Sequence, residues 1–177
     1  MTRVSRDTSG RSGPFPSGEF SAILFLPGAD CVRRAPVGIG WPMAQQENID
    51  IFLSLKSVAV VGASRDRNKY GNIIYRNLIS RGVKTFPVNP AAATVEGDTS
   101  YSSLADLPEK VEGAVIVVPP DRTERVVREA VAAGIPSIWL QPGAESGEAV
   151  RFCEASGLCL VWNACILVES RRAAAGR

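Results

Sequence analysis

The 177-residue chain contains no histidine. That absence excludes a Ser-His triad, a histidine general base, histidine-ligated zinc and a phosphohistidine intermediate. Cysteine is scarce and poorly spaced for chemistry. Cys31, Cys153, Cys159 and Cys165 form no C-x-x-C pair, so neither a zinc site nor a redox dithiol is indicated, and reduced thiols suit a cytoplasmic chain. No apolar run approaches the roughly 20 residues of a membrane-spanning helix. The short run Phe20–Leu26 leads into Pro27-Gly28-Ala29-Asp30-Cys31, where Asp30 spoils both a secretory cleavage site and a lipoprotein box. Excess charge is missing as well. A net charge of +2 argues against bulk binding to nucleic acid or an anionic membrane, so any basic site must be local.

What is present is ordinary globular composition, 45% apolar and 21% charged, in a length that suits one domain with an appendage. Residues 1–47 read as a flexible leader, rich in Ser, Gly, Pro and Arg over most of their length and without a sustained period. Met43, the only methionine besides Met1, is the expected natural start. The compact domain is expected over 48–170, with a frayed tail over 171–177.

Within that domain the pattern alternates. Asp50–Leu55 suits a short amphipathic helix, and Ser57–Val61 a strand whose β-branched residues favour burial on both faces. Asn72–Arg81 places Ile73, Ile74, Leu78 and Ile79 on one helical face, with Gly82 at the expected C-terminal cap. Further strands are expected at Val83–Val88, Gly113–Val118, Ser137–Leu140 and Leu158–Val161. A helix capped by Asp121 or Thr123 is expected to run through Ala133, and another over Ser146–Ser156. Strands and helices at this spacing imply right-handed βαβ units. The fold class is therefore α/β, a Rossmann-like, doubly wound, five-stranded parallel sheet with helices on both faces.

Ligands in such sheets sit beyond the carboxyl ends of the strands. There the chain carries Gly62-Ala63-Ser64-Arg65, Val88-Asn89-Pro90, Val118-Pro119-Pro120 and Gln141-Pro142-Gly143-Ala144, all poor in acids and bases able to move protons. Gly62 and Ala63 let the backbone approach a ligand, and the following helix presents unpaired N–H groups to an anion. The loop is not the dinucleotide fingerprint G-x-G-x-x-G, because positions 64 and 67 are Ser64 and Arg67. The second strand ends in Asn89-Pro90, where an NAD site would carry an acid for the ribose. Arg65, Arg67 and Lys69 instead suit a ligand with several negative charges; a solvated basic loop is the alternative reading.

Residues 57–165 resemble the CoA-binding domain family, the small proteins similar to the N-terminal domain of the succinyl-CoA synthetase α subunit. The resemblance rests on Val60-Val61-Gly62-Ala63-Ser64, Pro87-Val88-Asn89-Pro90, Val117-Val118-Pro119-Pro120, Trp139-Leu140-Gln141-Pro142-Gly143-Ala144 and Asn163-Ala164-Cys165. It implies that Gly62, Ala63 and Ser64 hold the diphosphate of CoA or an acyl-CoA. Arg65 and Lys69 would meet the phosphates of the ADP half. Asn89-Pro90 and Val118-Pro119-Pro120 would flank adenine and the pantetheine arm, with Gln141 a further contact. Ser64 as a helix cap, Asn89 and Gln141 as turn residues, and the prolines as strand stops are the structural alternatives.

The final motif departs from the family pattern, because Ala164 and Ile166 stand where Arg and Pro are usual. With no histidine to carry phosphate, the chain is expected to bind CoA without catalysis as a carrier, sensor or partner subunit, for example beside an ATP-grasp ligase subunit. The alternatives are an NAD(P)-binding redox sensor or oxidoreductase fragment, and an accessory subunit of an acyl-CoA ligase. No metal site is expected. Cys165, Trp139 and Trp162 read as packing residues, and Arg122, Arg125 and Arg128 as a solvated helical face.

Overall fold

The computed structural model describes residues 41–176. The expected leader as far as residue 40, with Cys31 and the Phe20–Leu26 run, lies outside the described residues. The elements are α1 (Trp41–Ser54), β1 (Ser57–Val61), α2 (Tyr70–Ser80), β2 (Lys84–Val88), β3 (Thr94–Val95), β4 (Asp98–Thr99), β5 (Gly113–Ile116), α3 (Pro120–Ala132), β6 (Ser137–Leu140), α4 (Gly147–Ala155), β7 (Cys159–Val161) and α5 (Ile166–Ala175). Five strands form one parallel sheet in the order β2-β1-β5-β6-β7. This is the doubly wound α/β architecture expected from the alternation.

Every residue of β5 and β6 is buried, as central parallel strands require. The side-chain period of two sorts each strand onto two faces. Val58, Val60, Val115, Trp139 and Val161 pack with Ile49 and Phe52 of α1, Ile74, Tyr75 and Leu78 of α2, and Ile166 and Leu167 of α5. Ala59, Val61, Ala114, Ile116, Ile138 and Leu140 pack with Val126, Val127 and Ala130 of α3 and Ala149 and Cys153 of α4. Trp139 is a core residue; its indole N–H donates to the Ala164 carbonyl at 2.9 Å and its ring meets Phe52 edge-on at 5.3 Å.

The first helix begins at Trp41, not at residue 50, so part of the stretch expected as leader is helical. The reason is tertiary. The Cys159 N–H donates toward β6, to the Pro136 carbonyl, so the carbonyls of Leu160 and Trp162 face the open edge of the sheet. Asn48 Nδ2 donates to the first at 2.9 Å and Gln45 Nε2 to the second, which blunts an edge that would otherwise template pairing. The chain after residue 170 is also helical to Ala175 where a frayed tail is expected. Its Arg-Ala run favours helix, and Arg81 Nη1 donates to the Ser170 carbonyl at 2.9 Å from α2.

Two further differences concern loops. The helix after β5 starts on Pro119 and Pro120, with proline inside its first turn and no side-chain cap, because proline's fixed φ and missing N–H suit that position. Thr123, an expected cap, donates its hydroxyl to the Ala144 carbonyl at 2.6 Å and ties α3 to the loop after β6. The second difference is β3–β4, an antiparallel hairpin absent from the sequence reading. Its two central residues, Glu96 and Gly97, have φ of 52° and 95°, the sign that a type I′ turn demands. At the end of α2, bonds from Gly82 N–H to Ile79 and from Val83 N–H to Leu78 close the expected cap.

Candidate functional site

Strand order reverses beside β1, whose neighbours are β2 and β5. The crevice of the sheet therefore opens between the loops after β1 and β5. Gly62 sits there with φ of 93°, and its N–H donates to the Val88 carbonyl at 2.9 Å. A Cβ on it would lie 2.5 Å from the Val117 carbonyl oxygen and 3.2 Å from Val118 Cγ1. The sequence reading assigns this glycine to ligand approach; in the structure the closest demand comes from the protein's own β5 loop. Gly71 in α2 plays the companion role, since its Cβ would lie 2.0 Å from the Gly62 carbonyl oxygen. Only a residue without Cβ lets the helix start against the loop, the packing role of the third glycine in dinucleotide folds.

Beyond Gly62 the loop presents donors. Among the described residues, the N–H groups of Ala63, Ser64 and Arg65 have no acceptor, and neither do those of Tyr70 and Gly71 in the first turn of α2. Such an array with a helix N-terminus is suited to an anion. The Ser64 hydroxyl accepts from the Asp66 N–H at 3.1 Å, which shapes the turn and leaves its own proton free to donate. Ser64 is not the cap of α2; Lys69 holds that position, with no side-chain cap bond. Arg65 and Lys69 are exposed and without a side-chain partner among the described residues, whereas Arg67 pairs with Glu96 at 3.2 Å.

Ser64, Arg65, Asp66, Asn89, Ala91 and Ala92 line an open cleft of about 500 Å³. Asn89 joins two of its loops. Its Nδ2 donates to the Ala63 carbonyl at 2.6 Å and its Oδ1 accepts from the Ala91 N–H at 2.9 Å, so one side chain shapes both the turn before Pro90 and the join to the first loop. Pro90 is exposed beside it.

Behind this wall lies a polar network that the sequence reading missed. Asn72 is fully buried; its Nδ2 donates to the Ser64 carbonyl at 2.7 Å and to Glu96 Oε1 at 2.9 Å, and its Oδ1 accepts from Arg76 Nε at 2.8 Å. Arg76 also donates to the Arg67 carbonyl at 3.2 Å. The hairpin that carries Glu96 is held by Tyr75, whose hydroxyl donates to Asp98 at 2.6 Å. Burial first, then that bond, raises the phenol's pKa well above its ordinary value. A Val-Glu-Gly-Asp run with Thr on each side is the one sequence signal for this hairpin.

On the other side of the crevice Val118 is half-buried, while Pro119 and Pro120 are exposed at the start of α3. Neither proline has an N–H, and Asp121 follows in the first turn. This second helix start therefore offers an apolar wall, not an anion site. Gln141 is 5% exposed at the end of β6, and its Nε2 has no hydrogen-bond partner among the described residues. A buried amide donor without a partner costs about 1–3 kcal/mol. Gln141, Pro119 and Pro120 do not line the 500 Å³ cleft, which brings together Ser64, Arg65 and Asn89 of the expected residues.

Among the described residues, no group of His, Cys, Asp or Glu side chains could hold a metal ion, and no helix is long and apolar enough to cross a membrane. Arg125 and Arg128 pair with Glu129 and Glu124 on the outer face of α3, as expected of a solvated helix. Cys165 is half-buried ahead of α5 and Cys153 lies in the core. Burial, then Glu154, pushes the Cys153 thiol up to about 12. The thiolate is the reactive form, so Cys153 is expected to resist alkylation at pH 8 until the protein unfolds, as checked by peptide mapping; modification in the native state would contradict its place in the core. Its neutral form is favoured by folding, so this contribution to stability is complete below the ordinary thiol pKa of about 8.5 and is lost as pH rises toward 12.

Residues 56–171 match the protein family described as CoA binding domain. The alpha subunit of an ADP-forming acetate–CoA ligase II from Pyrococcus furiosus is 33% identical over 91 residues, 51% of this chain and 20% of that subunit. This chain thus matches about a fifth of the length of that curated relative. A conserved hypothetical protein of known structure from Pyrococcus furiosus is 46% identical with a TM-score of 0.62, covering 64% of this chain and 98% of that one. The apo structure of a dinucleotide-forming acetyl-coenzyme A synthetase 1 from Ca. Korarchaeum cryptofilum is 33% identical with a TM-score of 0.55, covering 62% and 26%.

Proposed function

The chain belongs to the CoA-binding domain family, and from that premise we propose that its crevice binds CoA or an acyl-CoA without catalysing a reaction on it. The observation that carries this reading is the convergence, among the described residues, of unpaired N–H groups at Ala63–Arg65 and at the start of α2 with two unpartnered cations, Arg65 and Lys69. That donor set fits a diphosphate, because charge-assisted bonds are the strongest available and helix N-termini favour anions. The Ser64 hydroxyl proton adds a donor. The cleft beside Asn89 would take the adenine end, and the Val118-Pro119-Pro120 wall with Gln141 the pantetheine arm. What the chain's residues do is bind and orient: the crevice offers donors and apolar surface.

A second reading, as the CoA-binding subunit of an acyl-CoA ligase, is favoured by the ligase subunits among its relatives. On this reading another chain supplies the phosphate-carrying histidine that this chain lacks. Acyl-CoA formation on mixing with such a partner, and with neither chain alone, would distinguish it from a carrier or sensor.

Calorimetric titration with CoA, dephospho-CoA, NAD and ADP tests the binding itself. CoA is expected to bind most tightly; preference for NAD, or no heat with CoA at millimolar concentration, would overturn the proposal. Lys69→Ala should weaken CoA binding roughly tenfold or more, the worth of a hydrogen bond to a charged group. Its melting temperature should stay that of the parent, because Lys69 is exposed and makes no side-chain bond among the described residues.

A further inference from the structure

Of the three cations in the first loop, one is neutralised from an element far along the chain. Arg67 Nη2 lies 3.2 Å from Glu96 Oε2 at the tip of the β3–β4 hairpin. The same carboxylate accepts from the buried Asn72, which in turn holds the Ser64 carbonyl. Glu96 has φ of 52° at the hairpin turn, a conformation uncommon for a residue with a Cβ. Its side chain is 21% exposed against 66% for Arg67. The carboxylate is thus fixed within the fold, and the guanidinium comes to it from the surface.

We infer that Glu96 is a specificity-determining residue that sets the charge of the anion site, holding Arg67 neutralised so that Arg65 and Lys69 alone read the ligand's phosphates. This rests on the proposed CoA reading for the natural ligand, but the electrostatic statement holds for any phosphate in the loop. Removing the carboxylate's charge while keeping an acceptor for Asn72 releases Arg67 toward the site. Removing Arg67 instead leaves the Glu96 charge uncompensated next to it. The two changes therefore act in opposite directions on ligands that differ by one phosphate, and cancel when combined. A purely structural role for the pair would weaken both ligands alike.

The experiment is a double-mutant cycle of E96Q, R67Q and the E96Q/R67Q variant, titrated with CoA, dephospho-CoA and inorganic pyrophosphate at low salt. E96Q should raise the preference for CoA over dephospho-CoA by roughly threefold, the scale of an exposed ion pair. R67Q should lower it by a similar factor, and the double variant should return to the parent's ratio, with all differences shrinking at high salt as screening sets in. Equal ratios in all four proteins, or a fall in E96Q, would overturn the inference. If none of the proteins binds CoA yet E96Q binds pyrophosphate more tightly than the parent, the CoA reading fails and the role of Glu96 stands. If pyrophosphate binding is also unchanged, the role of Glu96 falls.

Discussion

Gly71→Ala is expected to lower the unfolding free energy by about 3 kcal/mol, the upper range for overpacking a tight contact. For a domain of this size that is a fall of roughly 10 °C in melting temperature. Helix propensity argues the other way, since alanine in a helix is favoured over glycine by about 1 kcal/mol. Packing decides the sign. The added Cβ would meet the Gly62 carbonyl oxygen at 2.0 Å, and backbone cannot rotate aside as a flexible side chain can. Nor can Gly62 retreat, because its N–H is bonded to Val88 and the Val117 carbonyl stands where its own Cβ would be. The start of α2 must therefore lift from the loop, carrying with it the N–H groups of Tyr70 and the residue at 71. CoA affinity is expected to fall at least tenfold along with stability. Thermal denaturation by circular dichroism and titration at a temperature below the transition measure both; a melting temperature within 2 °C of the parent would refute the packing argument.

Asn72→Ala has the next largest expected effect, about 3 kcal/mol, because it breaks a fully buried polar network. The substitution removes both bonds from Nδ2, to Ser64 and Glu96, and the acceptor of Arg76 Nε. Partners left without bonds cost more than the bonds themselves contribute. Asn72→Asp is expected to be at least as damaging, since it sets a carboxylate against Glu96 and the Ser64 carbonyl. Denaturant unfolding gives the stability, and limited proteolysis should show faster cleavage within residues 64–69 of the alanine variant. A parent-like cleavage rate with reduced stability would separate the network from loop order.

These two residues also show how far the sequence could be read. Strand β1 and strand β6 lie at the positions expected from their apolar runs, and the glycine-ended cap of α2 lies where Gly82 places it. Burial on both faces and chain reversal leave marks within a few residues. The hairpin leaves almost none, because two strands of two residues have no period to detect. The role of Gly71 was equally hidden; its partner is the Gly62 carbonyl, and nothing local distinguishes it from a helix-weakening glycine. Arg67 reads as the equal of Arg65 and Lys69 until Glu96 is brought beside it.

Local chemistry determined the alternation of strands and helices, the loops in which a ligand could sit, and the absence of histidine chemistry, because dihedral preference, periodic burial and composition act over short windows. Tertiary structure alone decided the strand order that puts the first loop opposite Val117 and Val118. It also decided which cations stay free and which polar groups, like the Gln141 amide, are left without a partner among the described residues. Those outcomes depend on distances between residues far apart in the chain, and charge, sterics and hydrogen bonding take their energies from distance.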